Sequence, residues 1–375
     1  MILPAIFGLL LILAVLLEAF ETVVLPRRVA RRLRITVLFY RTTWRFWRAI
    51  ARAIQRKKLR EGFLSYYGPL SLLVLFIFWA ALLIFGFALV YWSVSGPDST
   101  HPFFRTCMYL SGTTFFTLGI GDVTPHTPLE RALTVIESGL GFGFLALVLS
   151  YLPVIYQAFS RREVNIVLLD ARAGSPPTAG ELLRRHSGPR KLDALELLLR
   201  DWERWSAQIL ESHISYPVLS YFRSQHNNES WLGALAAILD TSALLLTDGN
   251  SPCARQAKLT FAMCRHAVVD LAQIFYAAPR NLGPDRLPPE DLQRMRKSLA
   301  DAGLGLLDTS ESNAKLAKLR QMYEPYLKAL AAYLFVELPP FILAKEATDN
   351  WKTSAWGRIS GFSPAPEKVS ALDDH

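Results

Sequence analysis

The chain has 375 residues, 51% of them hydrophobic and 19% charged, and Lys plus Arg exceed the acids to leave a net charge of +9. Apolar residues crowd into the first 160 positions, which excludes an ordinary soluble domain there and leaves a soluble-type helical protein behind it. Three cysteines, Cys107, Cys253 and Cys264, have no metal-ligand spacing and cannot form a disulfide framework.

Three apolar segments are long enough to cross a bilayer, whose ~30 Å core needs about 20 helical residues. The first, 1–24, is broken only by Glu18 and Glu21 near its end. No basic residue precedes it and no small-x-small site follows, so it reads as an uncleaved anchor. Residues 27–60 then hold thirteen Lys/Arg and no acid. The second span, 70–92, has no charge, and the third, 132–159, has only Glu137. Arg161 and Arg162 follow it, whereas the loop between the second and third spans holds Arg105 and Arg131 against Asp98, Asp122 and Glu130. The positive-inside rule then predicts a multi-pass protein of the cell (inner) membrane, N-terminus outside and C-terminus cytoplasmic. The net charge is a membrane-surface feature that requires no nucleic-acid partner, and the bilayer is the expected surrounding.

Within 35–60, Arg41, Arg45, Arg48, Arg52 and Arg56 recur every three or four residues, with Trp44, Trp47, Ile50 and Ile54 between them. This spacing predicts an amphipathic helix, either lying on the anionic leaflet or acting as a voltage sensor. The sensor reading lacks the acidic counter-charge helices that such sensors use.

Between the second and third spans, Ser99 or Thr100 can cap a helix with Pro102 in its first turn, running over about 102–116. That length is too short to cross. Irregular backbone after it is tolerated at membrane depth only if buried in protein or lining a watery cavity. Its C-terminal end carries the partial negative charge that favours a cation. Gly119 and Gly121 permit dihedrals that turn successive carbonyls one way.

The run Thr117-Leu118-Gly119-Ile120-Gly121-Asp122, in that setting, resembles the selectivity filter of the tetrameric potassium channels. The resemblance covers roughly residues 64–160, with an additional N-terminal span. It implies a non-enzymatic homotetrameric channel with no cofactor, in which potassium is the permeant ion. The ion would exchange water for oxygens of Thr117, Leu118, Gly119 and Ile120, with Asp122 at the outer mouth. Two positions depart from the family pattern: Ile120 stands where Tyr or Phe is usual, and Phe116 stands where Thr commonly precedes the filter. Some two-pore-domain channels also carry an aliphatic residue at the Ile120 position.

In the third span, Gly141 and Gly143 fall where the family's inner-helix hinge lies, and they equally suit close helix packing. Pro153 either kinks the helix at a gate or marks a simple helix end. Glu137 either hydrogen-bonds behind the filter to Thr113 or Thr114, or rings the cavity in four copies.

Beyond the third span, RAGSPPTAG at 172–180 reads as a linker, and Thr178 with Glu181 has capping-box spacing. Helices are expected at about 190–213, 229–247, 252–277, 288–304 and 312–336, punctuated by prolines. The residues Asp201, Glu203, Glu211, Arg200 and Arg204 read as a solvated face. Trp202, Trp205, Trp231, Trp351 and Trp356 suit a core or a membrane contact. Scattered His186, His213, His226 and His266 read as structural, as does Cys264-x-His266. The expected fold is an all-α membrane protein: three transmembrane helices with a re-entrant pore helix and filter loop, plus a cytoplasmic all-α domain of unknown ligand. The expected division is 1–25 (first span), 26–62 (basic segment), 63–160 (pore domain), 161–180 (linker), 181–350 (helical domain) and 351–375 (tail), with disorder from Ser360.

Overall fold

A computed structural model describes residues 2–25, 35–95, 103–188, 191–226, 228–247, 252–281 and 283–343. The proposed caps Ser99 and Thr100, Pro102, the tail, Trp351 and Trp356 lie outside them. Among the described residues every regular element is a helix, so this is an all-α membrane protein with a further helical domain. Among the described residues, three helical stretches are long and apolar enough to cross a membrane: Ile2–Val24, Lys57–Val94 and Pro128–Ala173. The chain forms two compact units, Met1–Phe159 with Ser212–Arg223, and Ser160–Glu211 with Ser224–His375.

In the first unit, α1 (Ile2–Ala19) ends in a π-helical turn, Phe20–Val24, and packs along α4 (Tyr67–Val94). Two glycines set that contact. A Cβ on Gly8 would lie 2.5 Å from the Gly86 carbonyl oxygen, and one on Gly86 would lie 2.8 Å from Ile12 Cγ1. Small residues let helix backbones meet where lipid provides no hydrophobic drive.

The basic segment forms α2 (Ile35–Ala53) and α3 (Lys57–Ser65). Glu18, a costly charge near the end of a span, is buried and caps α2. Its carboxylate accepts from Ile35 N (3.2 Å), Thr36 N (3.3 Å) and Thr36 Oγ1 (2.7 Å). It thus satisfies amides that the first helical turn leaves unpaired, at the positive end of the helix dipole. Trp44 packs on Tyr67 with ring centroids 4.7 Å apart, and Trp47 stacks on Phe63 at 4.4 Å. These aromatic contacts hold α2 against α3 and the first turn of α4.

The remaining elements of this unit are α5 (Phe104–Phe115), α6 (Pro128–Ala173, as far as Phe159) and a 3₁₀ turn, Pro217–Tyr221. Residues 212–223 fall in the stretch that the sequence reading placed in the helical domain, yet they pack here. Tyr216 meets Tyr151 of α6 at 5.6 Å, and Tyr221 meets Trp44 and Tyr67 at 5.1 Å each. Phe222 covers Gly68, where a Cβ would come within 2.6 Å of the ring. Burial of these aromatic rings outweighs continuation of the helix that precedes Pro217.

The second unit contains α7 (Ala179–Arg185), α8 (Lys191–Ser215, as far as Glu211), α9 (Trp231–Thr247), α10 (Ala254–Ile274), α11 (Pro289–Asp301), α12 (Ser310–Gln321) and α13 (Glu324–Leu334). The expected single helix at 312–336 is two helices. Pro325 has no N–H for the carbonyl four residues back, so the chain breaks at Met322–Tyr323. Only half of the expected capping box forms at Thr178. Its Oγ1 accepts from Glu181 N (3.3 Å), but the Glu181 carboxylate turns to Arg184 and Arg185.

Helix α9 is the core of this unit, buried on nearly every face. Its lone charge, Asp240, is fully buried and accepts from Arg286 and from the Tyr323 hydroxyl (2.6 Å). Arg286 also donates to Pro339 O and lies over the Phe341 ring, whose own carbonyl accepts from Gly180 N (2.8 Å). Trp202, Trp205 and Trp231 are buried in the core.

Candidate functional site

The site begins with α5, whose 12 residues rise about 18 Å, too little to cross a bilayer. Its last turn runs straight into the Thr117–Asp122 strip. Phe116 N donates to Gly112 O (3.2 Å), Thr117 N to Thr114 O (2.9 Å) and Leu118 N to Thr113 O (2.8 Å).

The strip then alternates in handedness. Thr117, Gly119 and Gly121 have φ of 54°, 56° and 84°, whereas Leu118 and Ile120 have negative φ. Alternating left- and right-handed residues bring successive carbonyls to one side of the chain and the amides to the other. The sequence reading anticipated the glycines. It missed Thr117, because a β-branched residue at positive φ is strained and no motif announces it. Added Cβ atoms at Gly119 and Gly121 would meet nothing within 4 Å, so the dihedral angle, and not space, calls for glycine. Side chains along the strip are uncovered in a single chain: Phe116 is 59% exposed, Leu118 62% and Ile120 60%.

Two contacts one helical turn apart seat α5 on α6. Glu137, fully buried, accepts from the Ser111 hydroxyl and from Tyr91 OH (2.8 Å), which also meets Thr134 Oγ1 (3.2 Å). One turn on, Gly141 lies under the end of α5, where a Cβ would fall 1.9 Å from Phe115 O. Ser111 and Phe115 are likewise four apart, so the two helices meet in register. The partners of Glu137 are thus Ser111 and Tyr91, not Thr113 or Thr114. Thr113 turns its hydroxyl back on Tyr109 O and Leu110 O, both at 3.0 Å, and Thr114 is buried. A carboxylate closed off by α4 and α5 does not line an open cavity in this arrangement.

Gly143 meets nothing within 4 Å, and Pro153 lies exposed inside an α6 that stays helical around it. Asp122 Oδ1 accepts from Val123 N (3.1 Å). The start of α6 is fixed by a reciprocal cap that the sequence reading passed over. Glu130 N donates to Thr127 Oγ1 (3.1 Å), and Glu130 Oε2 accepts from Thr127 N (3.0 Å) and His126 N (2.9 Å). The Thr-Pro-x-Glu spacing could have announced it. Tyr91 and Ser111 carried no such signal.

Cys264 and His266 do not converge. The thiol contacts Ser206 Oγ (3.0 Å), and burial pushes it up to about 12, while His266 faces Asp270 (3.8 Å). Among the described residues no group of three or more His, Cys, Asp or Glu could hold a metal.

Residues 74–157, from α4 through the Thr117–Asp122 strip into α6, match the family model described as an ion channel. Over 245 residues the chain is 24% identical to the uncharacterized membrane protein YdjJ of Bacillus subtilis (strain 168), covering 63% of this chain and 69% of that protein. No solved structure matches. The matched region, the apolar helices and the membrane-protein relative together support an ion channel in a multi-pass membrane protein.

Proposed function

We propose that the chain is a subunit of a homotetrameric potassium channel in the cell membrane, with its N-terminus outside and its second unit in the cytoplasm. The observation that carries this reading is the alternating backbone at Thr117, Gly119 and Gly121. One strip of carbonyls cannot replace an ion's hydration shell; four converging on an axis can. The exposed flanks of the strip and the largely uncovered apolar face of α6 are the surfaces that partner copies would cover. Conduction is passive and needs no covalent chemistry, and the second unit regulates it.

The test is recording of purified protein in planar bilayers with sodium and potassium exchanged. Current that reverses near the potassium equilibrium potential and is blocked by barium is the expected result. Absence of current in a correctly assembled protein would instead make it a non-conducting scaffold. A second reading, non-selective conduction of monovalent cations, is favoured by Ile120. Its side chain is 60% exposed and has no hydroxyl to brace the strip against α5. Reversal near zero in mixed sodium and potassium would establish that reading.

A further inference from the structure

Between Ser150 and Ser160, α6 buries a single stripe. Tyr151, Ile155 and Phe159, four residues apart, are buried, while Pro153, Val154, Tyr156 and Gln157 are exposed. Pro153 has no N–H for the carbonyl of Leu149, so this stretch is where α6 bends most easily. Both ends of the stripe meet one short segment. Tyr216 packs on Tyr151 and Phe222 on Phe159, each pair with ring centroids 5.6 Å apart. These two contacts lie about 12 Å apart along α6, one on each side of Pro153. The segment is held from behind as well. Tyr221 packs on Tyr40, Trp44 and Tyr67, Phe222 fills the notch over Gly68 of α4, and Arg223 pairs with Glu61 of α3 (3.8 Å).

Residues 212–223 belong to the first unit, yet the chain on either side of them belongs to the second. The entry is stiff: α8 is one helix from Lys191 to Ser215, and its last turn already lies in the first unit. Hydrogen bonds carry that order into the turn, from Tyr216 N to Ser212 O (2.8 Å) and from Leu219 N to Tyr216 O (3.0 Å). On the exit side, in the second unit, the Ser224 hydroxyl donates to Glu163 (3.2 Å), which pairs with Arg162 (2.9 Å). From this we infer that Tyr216–Phe222 is the coupling element through which the second unit sets the bend of α6 at Pro153. A bend is controlled by gripping the helix on both sides of it, and Tyr216 and Phe222 do so from one segment. Packed aromatic contacts of this kind have discrete arrangements, so a displacement delivered by α8 shifts the grip as a whole. The effect on conduction rests on the channel reading; the transmission to α6 does not.

The test is a double-mutant cycle on the full-length protein in lipid nanodiscs, read by amide hydrogen exchange over residues 150–160. The second unit is loosened at Asp240 of α9, the first α-helix after the segment, by Arg286→Met or by the milder Tyr323→Phe, which removes the hydroxyl donated to Asp240 (2.6 Å). Either change should speed exchange over 150–160 by about threefold or more in the otherwise unaltered chain. The same change should add nothing further in Y216A or in F222A, each of which releases one side of the grip. A segment that merely fills space would raise exchange when truncated but would leave the increment from the second unit intact. In planar bilayers, Tyr323→Phe should likewise alter open probability in the parent protein and not in Y216A or F222A. No current from the parent would defeat the channel reading and leave the exchange cycle to decide the coupling. An increment missing from the unaltered chain, or one that survives in both truncations and so travels along α6 itself, overturns the inference.

Discussion

Gly141 and Glu137 show how much depends on single atoms where α5 meets α6. The 1.9 Å approach of a hypothetical Cβ to Phe115 O leaves no room for any side chain at Gly141. Gly141→Ala should push α5 off α6 and abolish cation flux in liposomes if the chain conducts as proposed, with a clear fall in melting temperature. Gly143→Ala, facing open space in the subunit, should leave the subunit's own stability unchanged. Glu137 is held by two hydroxyl donors, so Glu137→Gln should weaken or misdirect one of them at a cost of about 1–3 kcal/mol. The altered seat should appear in single-channel records as changed open probability or conductance; unchanged currents would remove Glu137 from the mechanism. The sequence made Glu137 conspicuous, because a carboxylate in an apolar span demands a partner. It could not identify Ser111 and Tyr91, which come from two other helices at separations of 26 and 46 residues.

At the scale of elements, the Pro217–Tyr221 turn is the least expected piece. Its flanking aromatics, Tyr216 and Phe222, touch α6 at Tyr151 and Phe159, while Tyr221 touches α2 and α4. Because a Cβ at Gly68 would come within 2.6 Å of the Phe222 ring, Gly68→Val should lift this segment. Limited proteolysis of the full chain should then cut within 212–226 where the unaltered protein resists; identical cleavage patterns would show that the ring does not seat the segment. Helix period and proline placement made most helices readable, including α8, α9 and α10. They fail at 312–336, where Pro325 interrupts a pattern that hydrophobic spacing alone continues. The docking of 212–223 was unreadable for a different reason: a short aromatic turn has no period, and its partners are far away in sequence.

Considered whole, the second unit is organised around a buried charge, in contrast to the apolar packing of α1 on α4. Asp240 sits inside the apolar helix α9 and is neutralised by Arg286, itself linked to Glu324 at 3.5 Å and to Pro339 O. Removing one partner of such a pair strands the other, typically at about 3–5 kcal/mol. Arg286→Met should therefore accelerate amide hydrogen exchange across α9 by about a hundredfold or more in the full chain. Exchange unchanged from the parent protein would mean that Tyr323 alone suffices for Asp240.

What the amino-acid order determined by itself was whatever depends on local chemistry: three spans by length and hydropathy, a helix too short to cross, glycines where backbone must turn left-handed, and an all-α second unit. Thr117 at φ 54°, the Glu18 cap on α2, the Glu137 seat and the Asp240–Arg286 core were decided by tertiary structure alone. Each of these is a polar or strained group whose cost is met by residues distant in sequence, and no spacing rule along one chain specifies which distant residue will be near.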